Sequence, residues 1–395
     1  MLSLQQAEKT YLHMYIFFII VLAVHALVNL YIGVRGWQSL ELFPALRPWF
    51  IALMVLAFIA YPAGRFLEKL WYNPLSITLH WIGAFWFAVM LYLTLMLIVA
   101  DLGRLVNLVF PYVAKLSNGN IPALKIALFG IISSLTIVIV GSGFINARNP
   151  KVVRLDLSIP KQAGNMEYLR IAAASDIHLG TLVGSNHTRK LVNTINSLNP
   201  DLILFAGDVV DEDVGPVIEQ NLGENLKQLY APYGIFAATG NHEYIGGGDK
   251  PIAYLENHGI KVLRDTALLV NNSFYIIGRE DLQKRHFSGK PRLGLEELMK
   301  DIDLTMPLIM LDHQPYNLEE AAKAGIDLQL SGHTHHGQLW PFGYITNKLF
   351  EVSHGYYKKD STHYYVSTGY GTWGPPVRTG NRPEILLINL YFDSE

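Results

Sequence analysis

Cysteine is absent from the 395-residue sequence, and charged residues make up only 16% of it. The lack of cysteine excludes disulfides, thiolate metal ligands and a cysteine nucleophile. The formal net charge is −2, so no overall positive field would attract nucleic acid. No Lys/Arg run with interleaved aromatic residues is present either, and we therefore expect no nucleic-acid partner.

The few charges are unevenly distributed along the chain. Residues 1–150 hold 13 of the 64 Asp, Glu, Lys and Arg residues, and residues 151–395 hold the other 51. Such a break is typical of a chain that passes from lipid to water. It predicts a transmembrane helical domain at 1–150 and a water-soluble domain at 151–395.

The first 150 residues contain four apolar runs, and a helix that crosses a bilayer needs about 20 such residues. The runs are 14–34, 49–63, 75–100 and 121–145. Residues 105–114 are apolar but too short to span, so we predict an interfacial or re-entrant segment there. We expect the first run to be retained rather than cleaved as a signal peptide, because no strongly basic region precedes it and further spans follow.

Four spans would place both ends of the chain on one side of a cell membrane. Lys and Arg near the span ends favour the cytoplasm for that side by six to five, which predicts a multi-pass protein with a cytoplasmic soluble domain. His25, Asn29 and His80 lie inside the predicted spans without a charged partner evident in the sequence. We expect hydrogen bonds between helices, and the alternative is a substrate or proton path.

After Pro150 the sequence changes to strand–loop–helix units. Buried strands are predicted at 168–174, 201–206, 234–238, 308–311 and 328–330, and a last strand at 385–391. Residues 212–221 and 245–250 are predicted as solvated loops, and 222–230 as a helix. The pattern favours an α/β (α+β) four-layer fold, in which two packed β-sheets are flanked by helices.

Five short blocks of potential metal ligands follow these strands, where α/β folds place their sites. The blocks are Asp176-Ile177-His178, Gly207-Asp208 with Asp211, Gly240-Asn241-His242-Glu243, Asp312-His313 and Gly332-His333-Thr334-His335. Asp, Asn and His bind hard or borderline divalent metals. Two such ions can neutralise a phosphate and lower the pKa of a bridging water. The blocks therefore predict an enzyme that hydrolyses phosphate esters.

The residue types suit particular tasks at such a site. Asp208 follows a tight glycine turn, and its short carboxylate can reach two metals. Asp176 and His178 project to the same side of an extended segment. Asn241 offers a neutral oxygen ligand, and the adjacent His242 is then free to protonate a leaving alkoxide.

The blocks resemble those of the calcineurin-like metallophosphoesterase superfamily. The fuller pattern, from Ser-Asp-x-His-Leu-Gly to Ser-Gly-His-Thr-His-x-Gly-Gln, is similar to its bacterial membrane-associated branch, which includes UDP-2,3-diacylglucosamine pyrophosphatases and other lipid-directed phosphodiesterases. The resemblance covers roughly residues 170–390. It implies His242 as the general acid and two metal sites that share Asp208: one with Asp176, His178 and His335, the other with Asn241, His313 and His333.

Four further residues are candidates for supporting roles. The last motif often reads His-Gly-Gly in the family, whereas His336 intervenes here and either lines the substrate groove or covers the site. The Gly-, Pro- and aromatic-rich segment 364–384 either caps the fold or walls the site, with Trp373 against an apolar or planar group and Arg378 paired with phosphate. We expect Asp211 to orient a ligand rather than to bind metal.

These residues lead to one main hypothesis and two alternatives. The main hypothesis is a membrane-embedded phosphoesterase that hydrolyses a phosphodiester, pyrophosphate or phosphomonoester of a lipid or lipid-linked substrate, by attack of a hydroxide that bridges two metals. The alternatives are a membrane-tethered enzyme with a soluble nucleotide or phosphoprotein substrate, and a non-catalytic receptor or transport subunit. The ligand set suits Mn²⁺, which the resemblance favours, and also accommodates Fe, Zn²⁺ or Co²⁺.

Overall fold

The computed structural model describes residues 4–393, with side chains from residue 19 onward and at Ile16. The first residues of the predicted span 14–34 lie outside the described side chains. Contacts divide the chain into two compact units, Met1–Gly143 and Phe144–Glu395. The division of the chain at residue 150 into a membrane domain and a soluble domain stays a prediction.

The first unit consists of helices. They are α1 (Leu4–Ser39), α2 (Arg47–Leu70), α3 (Pro74–Val109), α4 (Val113–Ser117) and α5 (Ile121–Ala147), with 3-10 turns at Leu40–Leu42 and Pro44–Leu46 between α1 and α2. Within the described residues, four segments are long and apolar enough to cross a membrane: Ile19–Leu42, Pro44–Leu70, Pro74–Val109 and Ile121–Ala147. The predicted number of apolar helices is confirmed.

Two boundaries differ from the sequence-based expectation. Helix α3 continues to Val109 instead of ending before a separate re-entrant segment, since nothing breaks it before Pro111, which lacks an N–H. The short α4 then follows, and its first N–H donates to the side-chain oxygen of Asn107 at 2.8 Å. Helix α2 begins at Arg47, whose guanidinium lies over the ring of Trp37.

Polar side chains inside this unit are paired with one another. His25 contacts the carbonyl oxygen of Phe58 at 3.2 Å, and Asn29 accepts from the indole N–H of Trp86 at 2.9 Å, so the predicted bonds between helices are present. The expectation that His80 has no charged partner is wrong. Its Nδ1 lies 3.1 Å from the Glu68 carboxylate, and both side chains are buried. Glu68 is twelve residues away in sequence, so only the packing of α2 on α3 brings the pair together.

The second unit alternates strands and helices. In chain order it contains β1 (Lys151–Ile159), β2 (Tyr168–Ala174), α6 (Ser185–Ser197), β3 (Leu202–Ala206), α7 (Gly215–Glu219), α8 (Gly223–Leu226), β4 (Ile235–Ala238), α9 (Asn241–Ile245), α10 (Asp249–Glu256), β5 (Lys261–Leu263), β6 (Thr266–Val270), β7 (Phe274–Gly278), α11 (Lys284–Ser288), α12 (Leu295–Leu298), β8 (Leu308–Leu311), α13 (Leu318–Lys323), β9 (Leu328–Ser331), α14 (Gly343–Leu349), β10 (Gly355–Lys359), β11 (Thr362–Val366) and β12 (Glu384–Phe392).

The strands form two six-stranded sheets, as the predicted fold class requires. The first has the order β1-β12-β2-β3-β4-β5 and the second β10-β11-β9-β8-β7-β6. Strands β2 to β5 are parallel, and so are β7, β8, β9 and β11. Parallel neighbours bring their carboxyl ends to one edge of a sheet, which is where the five blocks follow.

Side-chain alternation places the core between the sheets. In β2, Leu169, Ile171 and Ala173 join a cluster with residues of the second sheet, whereas Ala172 and Ala174 face the helices on the other side. Strands of this kind are buried on both faces, so they lack polar alternation and read as continuous apolar runs. This is why sequence locates β2, β3, β4 and β8 well.

Other elements were misplaced or missed. The predicted loop 212–221 contains α7, where Val217 is fully buried, and the predicted helix 222–230 is only the one-turn α8. The predicted loop 245–250 holds the end of α9 and the start of α10. Strand β1 was not predicted, although its more buried and more exposed residues alternate regularly from Val152 to Ile159, a strand signal that its sequence carries.

Candidate metal centre

The residues of the five blocks leave their strands in an unusual backbone conformation. Asp176, His178, Asp208, His333 and His335 all have φ between 44° and 70°. Non-glycine residues seldom adopt this left-handed region, which costs free energy and is found mainly at functional sites. The chain accepts this cost at five of the predicted ligand positions.

The first cluster joins Asp176, His178 and His335, all of which are buried. The Nε2 atoms of His178 and His335 lie 3.1 Å apart, although 157 residues separate them in sequence. The Nε2 atom of His335 lies 3.4 Å from Oδ1 of Asp176. Three ligand atoms therefore converge on one point from β2 and β9.

The second cluster joins Asp208, His313 and His333. The Nε2 atom of His313 lies 3.0 Å from Oδ2 of Asp208. Nδ1 of His333 lies 2.9 Å from the side-chain oxygen of Asn241, so the amide belongs to the same cluster. Strands β3, β4, β8 and β9 supply these four residues.

Asp208 stands between the two clusters. Its Oδ2 lies 3.0 Å from His313 of the second cluster and 4.0 Å from Nε2 of His178 of the first. Close packing fixes its position, since a Cβ added at Gly240 would collide with the Asp208 side chain. Any side chain at residue 240 would displace the carboxylate, which explains the glycine before Asn241.

The hydrogen-bond partners of His313 show whether these residues suit a cation or only one another. Nδ1 of His313 lies 2.7 Å from the carbonyl oxygen of Ala206 and donates to it, because a carbonyl can only accept. In the neutral ring Nε2 then carries a lone pair that faces the Asp208 carboxylate, and within the described residues Nε2 has no hydrogen-bond partner. A lone pair and a carboxylate repel each other unless a positive charge lies between them. The site therefore fits a metal ion.

The pKa values of His313 and Asp208 also indicate that the site favours a positive charge. Burial lowers the pKa of His313, but the carboxylates of Asp208 and Asp176 outweigh burial and raise it well above its usual value. Burial likewise raises the pKa of Asp208, but His313 and His242 outweigh it and hold the pKa well below the usual range. The buried carboxylates thus strongly favour a positive charge beside them, whether a proton or a metal.

Hydrogen bonds from behind hold the acidic ligands. Glu243 is buried and accepts from the backbone N–H groups of Asp208, Val210 and Gly240 at 3.1, 3.0 and 2.7 Å. It thereby fixes the turn after β3 to the start of α9. Asp176 accepts from the N–H of His333 at 2.9 Å, which ties the end of β2 to the end of β9.

His242 lies at the start of α9, beside both clusters. Its Nδ1 lies 3.0 Å from Oδ1 of Asp211, and its ring packs edge-on against that of His178. Burial lowers the pKa of His242, but Asp208 and Asp211 outweigh it and raise the pKa to about 9. In this structure His242 is therefore protonated at neutral pH. It can hold a proton to be donated.

Asp211 reaches both rings without joining either cluster. Its Oδ1 lies 3.4 Å from Nδ1 of His178 as well as 3.0 Å from Nδ1 of His242. This position is the one expected for a residue that orients ligands, although that role stays a prediction. Asp312, which precedes His313, faces away from the clusters and pairs with Arg279 and Arg292 at 3.2 and 2.8 Å.

The three predicted substrate contacts have different surroundings. Trp373 is 57% exposed, with its ring 6.3 Å from that of His242, so it can form a wall of the site. His336 stacks on His354 at 3.7 Å, and its Nδ1 lies 3.0 Å from the hydroxyl of Ser353. These contacts are compatible with a residue that covers the site. The alternative role in a substrate groove stays a prediction.

The burial of Arg378 contradicts its predicted contact with phosphate. The residue has no exposed surface, and its guanidinium donates to the carbonyl oxygens of Gly371 at 2.6 Å and Thr368 at 2.7 Å. It also lies 3.2 Å from Nδ1 of His335, on the side of the ring away from the first cluster. Arg378 supports a predicted ligand from behind. Its charge is used inside the loop because the sheet edge and the segment 367–383 close over it.

Two supporting residues were missed by the sequence argument. Asn381 donates to the carbonyl oxygen of His335, and Gln338 donates to those of Trp373 and Pro375 at 3.1 and 2.8 Å. Gln338 ends the last motif, which was a usable signal. Asn381 lies in a Gly- and Pro-rich segment with no motif, so nothing in the sequence marks it.

Comparison with known proteins agrees with the motifs. The sequence profile of the calcineurin-like phosphoesterase family matches residues 169–337. An uncharacterized metallophosphoesterase of Aquifex aeolicus is 33% identical over 224 residues, which are 56% of this chain and 85% of that protein. One from Campylobacter jejuni is 28% identical over 390 residues, covering 95% of this chain and 98% of its own length.

A third relative has a more specific name. UDP-2,3-diacylglucosamine pyrophosphatase LpxG of Chlamydia trachomatis is 27% identical over 331 residues, which are 67% of this chain and 98% of that protein. The similarity thus extends beyond the five blocks in all three relatives. In the Campylobacter protein it includes the apolar helices as well.

Proposed function

Because the chain belongs to the calcineurin-like phosphoesterase family, we propose that its two clusters hold a pair of divalent metal ions for phosphate-ester hydrolysis. The enzyme class itself, a metal-dependent phosphoric ester hydrolase with apolar N-terminal helices, follows from the family and from the relatives. Asp176, His178 and His335 would hold one ion, and Asn241, His313 and His333 the other. Asp208 would be shared.

The observation that carries this proposal is the position of Asp208. A carboxylate with donor atoms of two ligand sets on either side is the arrangement that a two-metal centre needs. Two unrelated mononuclear sites would have no need of one carboxylate oxygen that faces ligands of both sets. Here the same Oδ2 faces both His313 and His178.

Bound metal ions would neutralise the phosphate and lower the pKa of an attacking water. The protein supplies the remaining chemistry. Asp211 holds Nδ1 of His242, which leaves Nε2 as the nitrogen that donates a proton to the leaving oxygen. Trp373, whose ring lies 6.3 Å from that of His242, would border this position.

We propose a lipid or lipid-linked phosphodiester or pyrophosphate as the substrate. Two features support this: the four apolar helices and the likeness to a relative named for a diacylated sugar nucleotide. We further propose Mn²⁺ as the metal, since the ligands are oxygen and imidazole nitrogen without thiolate. The count of positive charges near the span ends favours the cytoplasmic side for the catalytic unit.

The test is hydrolysis by the full-length protein purified in detergent, with and without added Mn²⁺. The substrates would be bis-p-nitrophenyl phosphate, p-nitrophenyl phosphate, nucleotides, phospholipids and nucleotide-linked lipids, with Asp208→Ala in parallel. Metal-dependent turnover that is lost in the variant is the expected result. Preference for soluble substrates over every lipid would exclude the lipid assignment, and no turnover with metal bound would exclude the enzyme assignment.

A further inference from the structure

A ridge of apolar side chains follows the metal centre by only a few residues. Trp340, Phe342, Tyr344, Ile345 and Leu349 are between 40% and 68% exposed, and we refer to them as the aromatic ridge. No residue of α14, which carries three of them, is buried. Exposed apolar side chains that are contiguous, rather than scattered, mark a surface that binds something apolar.

The ridge is held firmly to the metal centre. Helix α14 packs against the 3-10 turn His335–Gly337, and the N–H of Trp340 donates to the hydroxyl of Thr379 at 3.0 Å. At the far end, the ring of Phe350 lies 6.2 Å from that of His333. Helix α14 thus contacts the turn that holds His335 and is followed directly by Phe350 beside His333, so whatever the ridge binds is placed near the two clusters.

Residues 332–350 contain no Asp or Glu, and Lys348 is their one Lys or Arg. The acid that directly follows the ridge region, Glu351, is already paired with Lys359 at 3.1 Å. On the other side of His242, α11 packs against α9 and opens the segment 284–292, which holds four Lys or Arg residues and no acid. In that segment Arg285 and Lys290 are exposed and form no ion pair within residues 4–393, and Phe287 is also exposed.

We propose that the aromatic ridge and the basic segment 284–292 dock onto an anionic lipid bilayer, so that the metal centre works at the level of the lipid head groups. Trp and Tyr with nearby Lys and Arg form the usual composition of a surface that lies in a membrane interface. The positive segment complements anionic head groups, which attract such segments. The four apolar helices of the same chain are long enough to cross a bilayer and would hold the chain at one.

This docking deepens the proposed function, and its consequence for catalysis rests on that function. A substrate embedded in the bilayer would present its phosphate without leaving the membrane. The ridge would meet the acyl region, and the basic segment the anionic head groups. Docking itself requires no turnover and can be measured separately.

The absence of cysteine permits a direct test. Tyr344→Cys would carry a spin label in the full-length protein, reconstituted in nanodiscs of phosphatidylcholine with phosphatidylglycerol. Tyr230→Cys is the matched control, because Tyr230 is similarly exposed at 73% but precedes the amino end of β4, opposite the metal edge. We expect the label at 344 to be accessible to oxygen and shielded from a water-soluble nickel complex, and the label at 230 to show the reverse.

Two results would overturn the proposal. Aqueous accessibility at residue 344 equal to that at residue 230 would show that the ridge stays in water. Shielding of the label at 344 from both oxygen and nickel would show that a protein surface, such as a second copy of the chain, covers the ridge instead.

A second experiment measures the consequence for catalysis. Tyr344→Ser combined with Ile345→Ser removes two apolar side chains from α14 that no buried contact requires. We expect turnover of a lipid substrate in anionic nanodiscs to fall about tenfold, since burial of these side chains in lipid is lost, while turnover of bis-p-nitrophenyl phosphate stays the same. Equal turnover of the lipid would contradict the docking. Loss on both substrates with wild-type protein active would indicate damage to the site, and the label at 344 then decides about docking. Failure of wild-type protein on every substrate would count against the proposed function alone.

Discussion

Buried carboxylates have different partners in the two units of this protein. Among the helices of the first unit, the buried carboxylate of Glu68 lies against His80 and Arg65, and Asp101 is held by Arg35, Arg104 and Tyr31. Both of these acids have partners that satisfy them. In the second unit, the buried Asp208 carboxylate faces Nε2 of His313, an atom with no hydrogen-bond partner among the described residues, and it lies between two groups of potential metal ligands.

This difference distinguishes buried polar groups that stabilise the fold from buried polar groups that can bind a ligand. A buried ion pair that is complete needs nothing further, and the loss of one of its partners costs stability. A buried group of metal-ligand atoms whose lone pairs repel one another is stabilised when a cation binds between them. Proximity of Asp and His alone therefore does not identify a metal site. The direction of the lone pairs, as at His313, is the better indicator.

The largest expected effect comes from breaking this contrast with paired variants. Asp208→Ala should reduce turnover of bis-p-nitrophenyl phosphate by about a thousandfold, because both ligand sets lose their shared carboxylate. Glu68→Gln should leave that turnover unchanged and lower only the stability of the helical unit. Turnover and thermal melting of both variants in detergent would check this. Comparable loss of turnover in Glu68→Gln would mean that the charges of the first unit are also functional.

His242 should matter in proportion to the basicity of the leaving group. We expect His242→Gln to lower turnover about a hundredfold on a phosphodiester with an alkyl leaving group, which must be protonated as it departs. The effect should be much smaller on p-nitrophenyl esters, since p-nitrophenolate leaves without a proton. Rates of the variant and the wild type on both substrates provide the measurement. Equal losses would assign His242 to substrate or metal binding instead of acid catalysis.

Metal removal should lower the stability of the second unit. If Mn²⁺ is supplied at about 100 times its Kd, binding adds about 2.7 kcal/mol, which corresponds to roughly 5–10 °C in the melting temperature. Calorimetry of chelated and reloaded protein would detect the shift. Asp208→Ala serves as the control and should respond far less. An identical melting temperature with and without metal would contradict the inference that the lone pair of His313 faces a cation site.

The smallest effect concerns the pH dependence of the metal-free protein. The pKa of His242 is about 9 in the folded state against an ordinary value near 6.5, so its pairing with Asp208 and Asp211 stabilises the fold fully below pH 6.5. This contribution is lost as pH rises through 9. We expect a loss of about 2 kcal/mol, less than the pKa shift alone implies, because Asp208 keeps His313 as a partner.

Chemical denaturation of the chelated protein between pH 6 and pH 10 would measure this loss. His242→Gln provides the control, since it lacks the titrating group and should show a flatter profile. A steeper decline in the variant than in the wild type would show that other groups dominate the alkaline limb.

The regular parts of the fold were predictable because their signals are local. Strands β3 and β8 are continuous apolar runs, β2 is interrupted only by Arg170, and an Asp follows each strand within two residues; the apolar helices are recognisable by length. The loop predicted at 212–221 was wrong for the opposite reason. Its acidic residues and Gly215-Pro216 indicate solvent locally, whereas Val217 is buried by α6 and α8, elements that the local sequence does not reveal.

The chemistry of the site can be read from the sequence alone: which residues follow the strands, that they are Asp, Asn and His without cysteine, and that four apolar helices precede them. Those are properties of short segments. Tertiary structure decided which atoms meet. His178 and His335 converge across 157 residues, Glu68 reaches His80 across a helix pair, and Arg378 turns inward to support His335 instead of facing phosphate. Contacts of this kind depend on how two sheets and their loops pack, and no local pattern encodes that.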